Sequence, residues 1–320
     1  MDICLMIEGQ EGVTWEQWVS LARACEEHGF DGLFRSDHYL SFDHPTEWGT
    51  LDAWTTLSAL APVTSRIRLG SLVSPIGFRH PSVLAKSVVT VDHASHGRVE
   101  LGIGAGWFER EHRAFGFAYP SDAERLDILA EQIEIVHRSW DRDVHEFAFD
   151  GAHYRLERCI ALPKPVQDPH PPLIMGGGAR TRSAALAARW ADEYNVHAVD
   201  PATARELRGR IASACLAIDR DPAAVRFSLM TGFVVGVDQA DVRRRAQVLM
   251  DRTGERGDVG AFIEAMRQTG LVGTAEQILE RLGMLAEAGV QRVFLQHLVH
   301  DDLETVALVG HAIVPQAAAL

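Results

Sequence analysis

Residues 33–40, LFRSDHYL, carry Ser36, Asp37 and His38, three neighbouring side chains that can hold, orient or move a proton. An imidazole exchanges its proton near neutral pH, and an adjoining carboxylate can steady it or bond to a ligand. Strand alternation places Phe34, Ser36 and His38 on one face, so that with Phe34 turned into a core His38 overhangs the end of the strand. A histidine that caps the following loop would read the same way. Weaker candidates are Ser74, Arg79 and His80 in LVSPIGFRHP (72–81), and Gln296, His297 and His300 in FLQHLVH (294–300). Loop solvation would account for those equally well.

A second candidate lies in RVELGIGAGWFEREH (98–112). Gly102, Gly104 and Gly106 begin like the dinucleotide-binding motif G-x-G-x-x-G, but Trp107 stands where its third glycine belongs. The next helix, expected from about Ser121, also starts too late to meet a pyrophosphate. With a period of two, Val99, Leu101, Ile103 and Ala105 share one face and the glycines the other. Such a bare face lets a planar ligand approach the backbone, or it relieves crowding inside a barrel. A third candidate, LIMGGGARTRS (173–183), sets Gly176, Gly177 and Gly178 between a strand and a helix. Consecutive amides and a helix N-terminus there can surround a phosphate, with Arg180 and Arg182 as nearby cations. A structural turn is the alternative.

The bulk numbers narrow the partners. A formal charge of −13 over 320 residues argues against an electrostatic grip on nucleic acid or an anionic membrane. Cys4, Cys25, Cys159 and Cys215 lie far apart, which signals neither a disulfide framework nor a thiolate zinc site. Glu109 and His112 have an i, i+3 metal spacing but lack the further ligands such a site needs, so no metal is expected. With acidic residues near the N-terminus and no long apolar run, the expectation is a cytoplasmic protein acting on small molecules.

Short Val/Ile/Leu-rich runs at 2–7, 30–38, 66–73, 98–106, 171–178, 191–197, 225–237 and 290–298 alternate with helical patterns, among them 14–28, 50–62, 81–94 and 121–140. Eight strand–helix units predict a (β/α)8 TIM barrel rather than an open sheet. Residues 141–170 and 251–273 interrupt the rhythm and read as insertions in a single domain spanning 1–320.

GFDGLFRSDH, SRIRLGSLVSPIGFRHPSVLAK, VDHASHGRVELGIGAGWFEREHRAFGF, LPKPVQDPHPPLIMGGG and ADEYNV together resemble the luciferase-like monooxygenase superfamily, and more closely its branch of oxidoreductases dependent on the deazaflavin coenzyme F420. The resemblance implies a barrel with a flavin-shaped ring over its strand ends, often in a homodimer. It implies that Asp37 and His38 meet the ring or substrate, and that a non-prolyl cis peptide lies around Leu72 and Val73. Gly104 and Gly106 would line the ring edge, Gly176, Gly177 and Gly178 would take the phosphate, and His197 would sit near the same tail. Sugar-phosphate dehydrogenases of this branch carry an acidic glutamate where this chain has Trp107, so Trp107 is expected to form an apolar wall, joined by Trp48, Trp54 and Phe78. The function implied is hydride transfer between F420 and a small organic substrate. The alternatives are an FMN-dependent monooxygenase that uses oxygen and a flavin-binding protein without turnover.

Overall fold

A computed structural model describes residues 1–42, 44 and 46–320. In chain order its strands are β1 (Asp2–Ile7), β2 (Gly32–Arg35), β3 (Arg68–Ser71), β4 (Ser74–Pro75), β5 (Val99–Gly104), β6 (Phe147–Asp150), β7 (Arg155–Cys159), β8 (Leu173–Gly176), β9 (Glu193–His197), β10 (Arg226–Gly236), β11 (Leu271–Thr274) and β12 (Arg292–Gln296). Its helices are α1 (Trp15–Glu27), α2 (Ala53–Leu60), α3 (Pro81–Ala94), α4 (Glu109–Phe115), α5 (Asp122–Trp140), α6 (Thr181–Trp190), α7 (Pro201–Leu216), α8 (Gln239–Thr253), α9 (Val259–Thr269), α10 (Ala275–Glu287), α11 (Leu303–Ala312) and α12 (Val314–Ala317). Among the described residues no helix is long and apolar enough to cross a membrane.

Eight strands pair in parallel in the order β1-β2-β3-β5-β8-β9-β10-β12, and β12 pairs with β1 to close a (β/α)8 barrel. The α-helical starts follow local chemistry. Thr14 and Gln17 form a reciprocal capping box at α1, and at α10 Gln277 Oε1 accepts the Thr274 N–H at 3.1 Å. Asp52, Ser121, Asp200 and Asp238 cap α2, α5, α7 and α8 through their side chains.

Alternation sorts each barrel strand into two faces. Ile3, Leu5, Ile7, Leu33, Leu69, Val99, Leu101, Ile103, Val293 and Leu295 face out and join the large core under the helices. Cys4, Met6, Phe34, Ile174 and Phe294 form a separate cluster within the barrel, where Phe34 and Phe294 meet edge-on at 4.8 Å. Gly70 is required here, since a Cβ on it would lie 2.4 Å from the Phe34 ring. Below this plug, Arg292 reaches Glu100 at 2.7 Å and Glu193 at 3.1 Å, and Arg68 closes on Glu100. The lumen is thus ionic at its floor and apolar in the middle. Its mouth is open.

Several expected boundaries shift. The strand expected over 30–38 ends at Arg35, and that over 98–106 ends at Gly104, because the chain turns toward the mouth there and leaves the ladder. The helix expected over 50–62 is α2 followed by a 3-10 turn, Ala61–Val63, which contains Pro62. Residues 141–170 hold the antiparallel hairpin β6–β7. Residues 251–273 hold α9 and most of β11, which extends the far half of β10. The stretch from Glu109 to His112, expected as an exposed charged helix start, is the short helix α4, and its Glu111 and His112 are buried.

Candidate functional site

The carboxyl ends of the strands surround a cavity of about 640 Å³, within the size range of small-ligand pockets. Alternation delivers its walls: Glu8 follows β1, Ser36 and His38 follow β2, Gly104 and Gly176 end β5 and β8, and His197 and Gln296 end β9 and β12. Leu72, Val73, Gly106, Trp107, Gly177 and Gly178 complete the predicted set that borders it. The two glycine segments therefore open on one cavity.

The peptide between Leu72 and Val73 is cis, at the position the resemblance implies. Val73 borders the cavity and lies against both glycine segments. A Cβ on Gly104 would lie 2.8 Å from Val73 Cγ2, and one on Gly176 3.3 Å from Val73 Cγ1. The expectation that the glycines leave a bare wall thus needs correction, because Val73 occupies part of the space they vacate. Gly102 is spent wholly on packing, since a Cβ there would meet the Ser71 carbonyl at 2.1 Å. Gly178 does face open space.

His38 is held from behind. Its Nδ1 lies 2.8 Å from Glu111 Oε2, while Glu111 Oε1 accepts the backbone N–H groups of Tyr39 and Leu40. Glu111 is fully buried on α4, whose other acid, Glu109, is exposed and paired to Arg113 at 2.6 Å. With Nδ1 fixed on the carboxylate, Nε2 is the ring atom left for the cavity. Burial disfavours the imidazolium, but the hydrogen bond and charge of Glu111 outweigh it and the pKa of His38 rises. Sequence reasoning missed Glu111. The available signal was a buried E-H pair inside a charged segment, EREHR, which only the packing of α4 distinguishes from a solvated face.

Asp37 does not border the cavity. It is 1% exposed, and its Oδ2 accepts from Ser74 Oγ at 2.6 Å and Arg79 Nη1 at 2.5 Å. The alternation that turns His38 inward turns Asp37 the other way, where Arg79 bridges it to Asp52. The apolar wall also differs from expectation. Trp107, 63% exposed, pairs with Phe42 at 5.3 Å, and both rings flank His38. Trp54 is buried and donates to Ser74, Phe78 packs among Tyr39, His112 and Phe117, and Trp48 lies under Arg252. None of these three borders the cavity.

At the opposite side, two amides of the glycine turn are taken: Gly177 donates to the Asn195 carbonyl at 3.1 Å and Ala179 to the Tyr194 hydroxyl at 2.8 Å. What remains is Gly178 and the start of α6, whose first N–H groups no side chain caps. Arg180 borders a neighbouring cleft, and Arg182 is tied to Asp127. Of the weaker candidates, Ser74 and Arg79 belong to the Asp37 network. Gln296 reaches the cavity and donates to Glu8 at 2.7 Å, whereas His297 and His300 are buried away from it, their pKa values pushed down by burial to about 4 and about 3.

The model of the luciferase-like monooxygenase family matches residues 3–292. A Mycobacterium tuberculosis protein described as uncharacterized is 35% identical over 188 residues, 54% of this chain and 64% of its own length. The F420-dependent glucose-6-phosphate dehydrogenase of Nakamurella multipartita is 36% identical over 179 residues, 54% of this chain and 50% of that one. The FMNH(2)-dependent dimethylsulfone monooxygenase of Pseudomonas putida is 27% identical over 285 residues, 82% of this chain and 77% of that one. This chain thus aligns with less than two thirds of the first two relatives. An F420-dependent secondary alcohol dehydrogenase, solved with an F420–acetone adduct, shares the fold with a TM-score of 0.82 over 99% of this chain and 98% of its own, at 21% identity.

Proposed function

Because this chain belongs to the luciferase-like monooxygenase family, we propose that it is an oxidoreductase that seats the deazaflavin F420 in the barrel mouth and acts on a small organic substrate. One observation carries the reading: a histidine backed by a buried carboxylate and two glycine segments share a single cavity. The residues fit a flat ring with an anionic tail. Val73, Gly104 and Gly176 offer a low wall, and Gly178 offers a free amide at the other side, beyond which the uncapped start of α6 borders the neighbouring cleft. When bound, the deazaflavin supplies a hydride donor or acceptor.

The chain's own task is to orient the reactants and to manage one proton. Glu111 holds His38 by Nδ1 so that Nε2 can give a proton to, or take one from, a substrate oxygen. Phe42 and Trp107 flank His38 on the same side of the mouth and offer aromatic faces to a substrate. Asp37, although adjacent in sequence, supports the site indirectly by fixing Arg79 and Ser74.

A second reading, an FMN-dependent monooxygenase that uses oxygen, is favoured by the Pseudomonas putida dimethylsulfone monooxygenase, whose match covers 82% of this chain. Titrating the purified protein with F420 and with FMN, read by co-elution and absorbance, separates the two. Saturable binding of F420 with no retention of FMN supports the first reading. Selective retention of FMN overturns it.

A further inference from the structure

We infer that the substrate of this site is an uncharged molecule with a flat apolar body and one carbonyl or hydroxyl group, and that the site rejects phosphorylated and carboxylated compounds. The inference rests on the reading of the barrel mouth as the redox site, and it specifies the substrate class.

The charges around the cavity carry it. Glu8 is the one carboxylate among the described residues that border the cavity, and no lysine or arginine is among them. It is 6% exposed, and Gln296 and Gln10 hold its two oxygens at 2.7 and 3.0 Å. Behind the wall stands Glu111, and His38, even fully protonated, offsets only one of these two carboxylates. Arg79 and the buried Arg35 balance Asp37 and Asp52, so neither is free to offset the remaining carboxylate. His197 gains no compensating charge, since burial lowers its pKa.

An anion entering beside His38 therefore meets a net negative surface in a region of reduced dielectric, where like charges a few ångströms apart repel by kilocalories rather than tenths. A neutral body meets Phe42 and Trp107, tilted 44° to one another at 5.3 Å, which suit an aromatic or conjugated group. The cationic features lie elsewhere: the amide-rich start of α6, with Arg180 beyond it. An anionic tail would therefore run out past Gly178 toward that neighbouring cleft, while a neutral reactant sits in the cavity beside His38.

The test is a set of binding titrations followed by Trp fluorescence, with acetophenone, 4-acetylbenzoate and 4-acetylphenyl phosphate as probes, on the protein with and without F420. Acetophenone should saturate and bind at least tenfold more tightly than either anion. Glu8→Gln should narrow that gap to about threefold or less. Should Glu8→Gln not fold, Met230→Lys, which adds a cation to the cavity wall, should raise affinity for both anions by tenfold or more. Equal or tighter binding of an anion by the wild-type protein, no saturation with acetophenone, or a gap that neither variant changes would overturn the inference. Failure of F420 to bind while the charge discrimination persists would overturn the cofactor reading and leave this inference standing.

Discussion

His38 Nδ1 lies 2.8 Å from Glu111 Oε2, across 73 residues of sequence. The contact joins the end of β2 to the short helix α4, so a proton-handling group and its orienting carboxylate come from different strand–helix units. His38→Ala should lower turnover by about 100-fold or more, the usual contribution of a positioned acid or base, while cofactor affinity changes by less than about threefold. Equal losses in both would sink the role.

Glu111→Gln removes the charge but keeps the shape. Because Glu111 raises the pKa of His38 against burial, the variant should move the His38 limb of the pH–rate profile to lower pH. Stability follows the same sign. A histidine whose proton is held more tightly in the folded chain stabilises it fully below its unfolded pKa of about 6.5, and that contribution fades as pH rises through the raised folded value. The stability difference between wild type and Glu111→Gln should therefore be larger at pH 6 than at pH 9, as measured by urea unfolding.

His297 and His300 work in the opposite direction. Both are buried and held neutral, with pKa values of about 4 and about 3. In the unfolded chain they protonate near pH 6.5, so stability should fall as pH drops from 6.5 toward 4. At pH 5 the loss is about 2 kcal/mol per histidine. Denaturation at pH 7 and pH 5 checks this, and His300→Gln should flatten the dependence.

The glycines divide by what their missing side chains would meet. Gly104→Ala should destabilise by about 1–3 kcal/mol, because the new methyl lies 2.8 Å from Val73 Cγ2. Gly178→Ala meets nothing within 4 Å and should leave stability within about 0.5 kcal/mol. It should still weaken binding of a phosphate-bearing ring, which calorimetry would read. A Gly178→Ala protein with unchanged cofactor affinity would remove the phosphate from this turn.

At the floor of the barrel, Arg292→Met would leave Glu193 without a cation and Glu100 with Arg68 alone in the interior. The expected cost is about 3–5 kcal/mol, the range for breaking a buried ion pair by removing one partner. The midpoint of chemical unfolding measures it, with cofactor affinity as the control because the ion pairs lie at the other end of the lumen.

The alternation of β5, with Val99, Leu101 and Ile103 against Gly102 and Gly104, was enough to place the glycines toward the axis, and eight such strand–helix units were enough to predict a barrel. A period of two is local, so a linear chain displays it. Phe34, Ser36 and His38 were legible for the same reason. What each inward position meets was not legible, because that depends on contacts across the lumen. Val73 fills the notch of Gly104, Ser71 closes that of Gly102, and Asn195 claims the amide of Gly177. The same holds for Asp37 and Glu111. Alternation alone turns Asp37 away from the lumen, but only tertiary packing supplies Arg79 as its partner and brings Glu111 to His38. A buried charge must find a partner, and which partner is decided by the close approach of segments far apart in sequence.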